Sequence, residues 1–275
     1  MHTKAGPAAD WELAELNSAL AGTIFANQLE YLAETASTNL LAMEAAAQGL
    51  PEGAVFLADR QTAGRGRGGH SWDSEPGTNL LLSFVLRPRI APADALWLSL
   101  MSGLAVQQAI HHQTGLAPDL RWPNDLLLHN KKLCGILTEL SSDGNRVRHA
   151  VVGIGINVNQ REFPQDLSGL ATSLAIETGR SWQRSRLLVA LLTSLDSEYR
   201  MLLGELTPER TPTRPISLLQ RLRESSSYIQ GKPVHVSEEG GYDGTTAGLD
   251  ERGFLLVRTP NGVRRVISGG VRELQ

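Results

Sequence analysis

Three apolar segments follow one another within residues 120–158 and are separated only by short turns. They run over Leu120 to Leu128, Leu133 to Leu140 and Val147 to Val158, with turn residues at Asn130 and Asp143-Gly144. Asn, Asp and Gly are typical of tight turns. Strands joined by tight turns pair antiparallel, because a parallel pair needs a long crossover connection. The chain therefore forms a sheet that is not all-parallel.

Helical patterns accompany these strands. Leu96, Leu100 and Leu104 recur at a spacing of four, which is typical of a buried helix. The predicted helices are Asp10 to Leu20, a run capped by Ser37 and stopped by Gly49, Ala93 to Thr114, Arg186 to Leu203 and Ile216 to Glu224. Two further strands are predicted over Ala54 to Asp59 and Asn79 to Leu86. The fold class is therefore α/β (α+β) with a mixed sheet.

The composition changes at Tyr228, where short strands begin to alternate with glycine turns. The predicted strands are Pro233 to Ser237, Thr245 to Leu249, Gly253 to Arg258 and Val263 to Ser268. Such a pattern is typical of a small barrel. The sequence thus predicts two domains, at residues 1–226 and 227–275. A Pro/Thr-rich stretch from Thr207 to Pro215 precedes the last helix of the first domain.

Composition excludes several function classes. The formal net charge is -3, so no overall basic field favours a nucleic-acid partner. Cys134 is the single cysteine and allows no internal disulfide. No apolar run approaches the roughly 18 residues that a membrane helix needs, and Met1 to Asp10 lacks the apolar core of a secretory signal. We expect a cytoplasmic protein with no membrane partner.

A glycine-rich segment carries the strongest chemical signal. Gly64 to Gly69 contains four glycines and two arginines, Arg65 and Arg67, and no acidic residue lies between Gln61 and Trp72. Glycines let backbone N–H groups approach an anion closely, and arginine donates bidentate hydrogen bonds to carboxylate or phosphate. The segment is neither a Walker loop nor a dinucleotide fingerprint, and a flexible surface loop is the alternative that residue type alone leaves open.

Three other segments add weaker signals. In the first, Pro123 bends a strand and places Asn124 and Asp125 at a kink, where an Asp can hold Mg²⁺ or bind a ribose. An ordinary turn is the alternative. In the second, Lys132 lies at the mouth of an apolar strand and can neutralise an anion, although a solvated hairpin tip explains paired lysines equally well. In the third, Gly153 to Asn159 alternates glycine with larger residues, which leaves one strand face bare for a flat ligand or for tight packing.

Together, in this order, the segments resemble the biotin protein ligases. The resemblance runs strongly from Tyr31 to Asn159 and weakly through the C-terminal region. Its motifs are Ser37-Thr38-Asn39, Gln61-Thr62-x-Gly64-Arg65-Gly66-Arg67, Trp122-Pro123-Asn124-Asp125, Lys132-Leu133-x-Gly135-Ile136-Leu137 and Gly153-Ile154-Gly155-Ile156-Asn157-Val158. The resemblance implies a catalytic domain related to class II aminoacyl-tRNA synthetases and an SH3-like C-terminal barrel. It also implies formation of biotinyl-AMP from biotin and ATP, followed by biotin transfer to a lysine of a biotin carboxyl carrier protein, such as that of acetyl-CoA carboxylase.

The resemblance also implies residue roles. Catalysis falls to Lys132, Arg67 and Arg65. The predicted substrate-binding residues are Ser37, Thr38, Asn39 and Gln61 at the ureido end of biotin, Gly64, Arg65, Gly66 and Arg67 over biotin and phosphate, Trp72 against adenine, and Asn124, Asp125, Lys132, Gly135 and Asn157 around the adenylate. Asp125 is the predicted Mg²⁺ ligand. We expect the glycine-rich segment to become ordered when biotin and ATP bind.

Some family members carry an N-terminal DNA-binding module. Only about 36 residues precede Ser37, so we expect a ligase that does not bind DNA. A lipoate or octanoate ligase of the same superfamily and a non-catalytic sensor of biotinyl-AMP are the competing interpretations. A homodimer is left open.

Overall fold

The computed structural model describes residues 11–206, 217–238 and 240–274. A seven-stranded sheet forms the larger part, in the order β1-β2-β3-β7-β6-β5-β4. Its strands are β1 (Leu29–Thr35), β2 (Val55–Gln61), β3 (Leu80–Leu86), β4 (Asp119–Arg121), β5 (Asp125–Leu128), β6 (Lys131–Ser142) and β7 (Val147–Ile156). β1 and β2 are parallel and every other neighbouring pair is antiparallel. The predicted mixed sheet is confirmed.

Helices cover both faces of this sheet. They are α1 (Leu13–Ala19), α2 (Thr38–Ala47), α3 (Leu96–Thr114), α4 (Leu174–Thr178), α5 (Arg184–Leu206) and α6 (Leu218–Ser225). Helix α3 packs against α5 over the larger hydrophobic cluster, whereas α2 packs through Ala42 and Ala46 on Phe56, Val85 and Val151. Because α2 is short and presents small side chains, it covers only part of its face and leaves room for a pocket. Within the described parts of the chain, no helix combines the length and apolar character needed to cross a bilayer.

A second sheet follows α6. Its strands are β8 (Gln230–Val236), β9 (Tyr242–Leu249), β10 (Leu255–Thr259), β11 (Gly262–Arg265) and β12 (Val271–Glu273), and every neighbouring pair is antiparallel. The two sheets meet where the buried Trp122 donates its Nε1–H to the carbonyl oxygen of Gly253 at 2.9 Å. A Cβ on Gly253 would lie 2.8 Å from Leu100, so a glycine permits this close approach.

One predicted strand is wrong. Leu120 to Leu128 is not a single bent strand but two short ones, β4 and β5, which pair antiparallel around a turn at Trp122, Pro123 and Asn124. Pro123 has no N–H to give to a sheet, so the chain reverses there instead of continuing. The reversal places Arg121 directly opposite Asp125.

Other differences concern element ends and omissions. The sequence analysis did not predict β1, α4 or β12, which are short or, in β1, interrupted by charged residues. The last predicted strand, to Ser268, already ends at Arg265, and Ser37 begins α2 without a side-chain cap hydrogen bond. Met1 to Asp10, the start of the first predicted helix at Asp10, and Thr207 to Pro215 lie outside the described residues.

Candidate active site

The candidate site lies on the sheet face that α2 leaves partly open. Strand register places residues of β3, β7 and β6 side by side in three rows on this face. The rows are Leu81, Gly155 and Gly135; Ser83, Gly153 and Leu137; and Val85, Val151 and Glu139. The third row lies under α2, and the first two rows, except Leu81, form the floor of the pocket.

Two glycines of β7 are required by what packs on them. A Cβ on Gly153 would lie 2.0 Å from Asn39 Oδ1, and one on Gly155 would lie 2.6 Å from the Trp72 ring. Trp72 also covers Gly135, where a Cβ would lie 2.8 Å from the ring. The bare strand face predicted from sequence is therefore covered by the Asn39 amide at Gly153 and by the Trp72 indole at Gly155.

A chain of polar side chains crosses the floor. Gln61 Oε1 accepts hydrogen bonds from the Thr38 backbone N–H at 2.8 Å and is 3.1 Å from the Thr38 hydroxyl. The Thr38 and Ser83 hydroxyl oxygens lie 2.7 Å apart, and Ser83 donates to Asn39 Oδ1 at 2.6 Å. Thr38, Asn39 and Ser83 are all buried. Buried polar groups so placed form a rigid, uncharged recognition surface.

The other end of the pocket is cationic. Lys132 Nζ lies 2.7 Å from Asp125 Oδ1, and Arg121 lies 2.6 Å from Asp125 Oδ2. Burial raises the pKa of Asp125, but the ion pairs with Lys132 and Arg121 outweigh burial, so the net pKa lies below its usual value. Lys132 is also 5.7 Å from the centre of the Trp72 ring. Asp125 therefore holds the lysine against the pocket wall.

The glycine-rich segment forms a hairpin that closes the pocket from outside. Gly66 N–H donates to His70 O at 2.7 Å, and Trp72 N–H donates to Gly64 O at 2.9 Å. The two arginines have different partners: Arg65 lies 3.2 Å from Glu139 of β6, whereas Arg67 donates to Gly269 O of the second sheet at 2.7 Å.

Arg67 is a partly desolvated cation. Burial lowers the pKa of its guanidinium, an effect opposed by the charges of Asp125 and Glu238. A desolvated cation gains from an added anion such as a carboxylate or phosphate.

Most predicted site residues line one pocket. They are Ser37, Thr38, Asn39, Gln61, Arg65, Gly66, Arg67, Trp72, Asn124, Lys132 and Gly135. Residues separated by almost one hundred positions in sequence thus meet in one place.

Three predicted residues lie beside the pocket instead of lining it. Gly64 is needed for the close approach of the two hairpin strands, because a Cβ at this position would lie 2.6 Å from the carbonyl oxygen of Trp72. Asp125 affects the pocket by holding the Lys132 ammonium group in place through an ion pair. The buried Asn157 donates its side-chain N–H to Thr172 O at 3.0 Å, and its role at the adenylate stays a prediction.

Sequence reasoning missed Ser83, Glu139 and Arg121. Ser83 is the one polar residue in the apolar strand β3, and Glu139 interrupts the apolar pattern of β6. A lone polar residue in a strand that is otherwise buried is the signal that could have identified Ser83. Cys134 is buried, and burial raises the pKa of its thiol, so it belongs to the core.

Comparison with known proteins agrees with this geometry. Residues 31–157 match the biotin/lipoate A/B protein ligase family, and residues 230–271 match the biotin protein ligase C terminal domain. The chain is 35% identical over 262 residues to the bifunctional ligase/repressor BirA of Bacillus subtilis, covering 94% of this chain and 77% of that protein. It is 33% identical over 255 residues to the biotin–acetyl-CoA-carboxylase ligase of Mycobacterium tuberculosis, covering 90% of each.

A solved structure extends the likeness to the whole fold. The biotin protein ligase of Aquifex aeolicus in complex with biotin and ATP superposes with a TM-score of 0.74 at 32% identity, covering 90% of this chain and all of that one. Pocket geometry, two matched domain families and relatives of similar length agree, and the chain therefore belongs to the biotin protein ligase family.

Proposed function

We propose that this pocket joins the carboxylate of biotin to AMP and then passes biotin to a lysine of a biotin carboxyl carrier protein. One observation carries the proposal: a single pocket has an uncharged polar end at Thr38 and Gln61 and a cationic end at Lys132 and Arg67, with Arg65 also in its lining. Biotin has the same polarity, with a neutral ureido ring at one end and a carboxylate at the other. ATP-dependent biotinylation is the activity of this family of enzymes, and the chain is a ligase of that type.

The first step needs two anions in contact. A biotin carboxylate oxygen attacks the α-phosphorus of ATP, a P–O bond forms, and pyrophosphate leaves. Lys132 and the hairpin arginines offset the repulsion between the reactants and stabilise the charge that develops at phosphorus. Asp125 fixes the position of Lys132 in advance. Positioning and charge stabilisation together supply the rate enhancement, with no covalent enzyme intermediate.

The second step is acyl transfer. The carrier lysine amine attacks the carbonyl carbon of biotinyl-AMP, an amide bond forms, AMP leaves, and the amine loses a proton. Free lysine has a pKa of about 10.4, so the amine must be deprotonated for attack. The hairpin over the pocket shields the mixed anhydride from water until the carrier arrives.

The reaction also needs Mg²⁺, which we propose is a partner of ATP. Among the described residues, no group of three or more His, Cys, Asp or Glu side chains is arranged to hold a metal ion. Both Asp125 oxygens already face cations, which does not fit a direct Mg²⁺ ligand without a change of partners. We propose that Mg²⁺ enters bound to the phosphates of ATP, as it does at sites with few carboxylates.

The wider assignment follows from the same reasoning. We propose that the acceptor is the carrier domain of acetyl-CoA carboxylase or a related biotin enzyme, and that the reaction takes place in the cytoplasm. A catalytic domain at residues 1–226, a C-terminal domain at 227–275 and the absence of DNA binding stay predictions, and homodimer formation stays open. The match of residues 230–271 to a biotin ligase domain favours biotin over lipoate as substrate.

A two-stage assay tests the function. The protein is incubated with biotin, ATP and Mg²⁺, and biotin-dependent pyrophosphate release is measured before and after addition of a carrier domain. Lys132→Ala is expected to lose adenylate formation and remain folded. Lys131→Ala is the matched control, because it removes the neighbouring lysine outside the pocket lining. Equal rates for wild type and Lys132→Ala would remove Lys132 from the mechanism, and lipoate-dependent release would overturn the substrate assignment.

A further inference from the structure

Glu139 connects the arginine hairpin to the polar floor of the pocket. Its Oε1 lies 3.2 Å from Arg65, and its Oε2 accepts a hydrogen bond from Asn39 Nδ2 at 3.0 Å. The Arg65 side chain is 46% exposed, and partly exposed ion pairs contribute little to stability. We therefore expect the effect of Glu139 in how it orients the side chains that it contacts.

Glu139 fixes the orientation of the Asn39 amide. An ionised carboxylate only accepts hydrogen bonds, so Asn39 must present its NH₂ group to Glu139. The same NH₂ group is 3.4 Å from the carbonyl oxygen of Leu137, which is also an acceptor. Asn39 Oδ1 is consequently left facing Ser83, and Gly153 has no side chain to obstruct it.

The amide orientation determines where the hydroxyl protons lie. Ser83 has a single proton, which it donates to Asn39 Oδ1 at 2.6 Å. The 2.7 Å contact between the hydroxyls of Ser83 and Thr38 then needs the proton of Thr38. The longer bond of 3.1 Å that the Thr38 hydroxyl can donate to Gln61 Oε1 is then given up, and Gln61 Oε1 keeps the backbone N–H of Thr38 at 2.8 Å as its donor. Thr38 lines the pocket, and its hydroxyl can therefore only accept a hydrogen bond from a ligand there.

We infer that Glu139 is a positioning residue that selects an N–H donor at the polar end of the pocket, by directing the protons of the Asn39–Ser83–Thr38 chain away from the ligand. The inference rests on the proposed function, in which a ureido ring occupies this end. Replacing Glu139 by glutamine would allow the Asn39 amide to turn over and the whole chain to reverse. The proton of the Thr38 hydroxyl is then released from Ser83 and is shared between Gln61 Oε1, 3.1 Å away, and a ligand in the pocket.

Calorimetric titration of the full-length protein tests this inference. The ligands are biotin and its two cyclic carbamate analogues, in each of which an oxygen atom replaces one ureido N–H. Wild type is expected to reject the analogue whose oxygen faces Thr38. In Glu139→Gln the ratio of the analogue and biotin dissociation constants should fall about tenfold, the size of one net hydrogen bond. The other analogue is an internal control.

Two further variants separate orientation from stability. Ser83→Ala interrupts the chain with Glu139 in place and should relax the discrimination in the same way. Glu34→Gln removes a carboxylate that pairs with Arg60 on the exposed surface, and should leave both constants unchanged. A purely structural role would weaken biotin and both analogues equally, and unchanged ratios in Glu139→Gln and Ser83→Ala would overturn the inference. Failure of the wild type to bind biotin would instead contradict the proposed function.

Discussion

The floor of the pocket and the arginine hairpin are built in opposite ways. On the floor, Thr38, Asn39 and Ser83 are at most 4% exposed and hydrogen-bond to one another. In the hairpin, Trp72 is packed on the sheet, but Arg65 is half in solvent with an ion pair to Glu139 and Arg67 donates to Gly269 O. The floor can recognise a neutral ring before any ligand arrives, whereas the positive charge is supplied by a segment with few restraints.

Gly153→Ala should disrupt the hydrogen bonds of the pocket floor more than any other variant proposed here. Its Cβ would lie 2.0 Å from Asn39 Oδ1, so the amide must leave its place. We expect a loss of about 1–3 kcal/mol in unfolding free energy, measured by urea titration. Biotin affinity should fall roughly 100-fold, since two buried hydrogen bonds are broken. Gly169→Ala is the control, because nothing lies within 4 Å of its Cβ position. Wild-type affinity in Gly153→Ala would contradict the rigid floor.

Arg67→Ala should affect the hairpin without affecting the fold. We expect kcat/KM for adenylation to fall by roughly 10²–10³, because one charged donor to the reacting phosphate is removed. The unfolding free energy should change by less than about 1 kcal/mol, since only the hydrogen bond to Gly269 is lost. Arg60→Ala, at an exposed ion pair, should leave kcat/KM unchanged. An equal loss in both variants would show that net charge, and not position, is responsible.

Limited proteolysis should distinguish the two regions directly. Biotin and ATP together provide anions for Arg65 and Arg67, so trypsin cleavage after these residues should slow by about tenfold, as expected for one or two charge-assisted hydrogen bonds. Cleavage after Arg148, which is 66% exposed, should proceed at the same rate with and without ligands. Unchanged cleavage at the hairpin would mean that it does not close on the substrates.

Asp125→Asn should show the smallest change across the ordinary pH range. The pKa of Asp125 is depressed in the folded protein, so its stabilisation is present above the unfolded pKa of about 3.9 and is lost as pH falls through the lower folded value. The difference in unfolding free energy between wild type and variant should therefore stay constant from pH 8 to pH 5 and decrease only in more acidic solution. A decrease already between pH 7 and pH 5 would show that the pKa is not depressed.

The difference between floor and hairpin also explains what could be predicted. Strands β3 and β7 and helix α3 follow from apolar periodicity, because each is buried along most of its length. The Arg65 and Arg67 segment was recognised by its composition and motif. The hydrogen bond from the side chain of Asn157 to Thr172 O was not predicted, because the partner of a polar side chain depends on how the following loop packs against the strand.

The sequence alone determined the residue types at the site and the order of the motifs, since glycines, arginines and a strand-end lysine limit the local backbone and the charge. Only the tertiary structure decided which groups meet. Strand register places Glu139 and Ser83 beside α2, and the second sheet brings Gly269 to Arg67. Such contacts depend on cross-strand pairing and packing between distant segments, and no local pattern of residues encodes them.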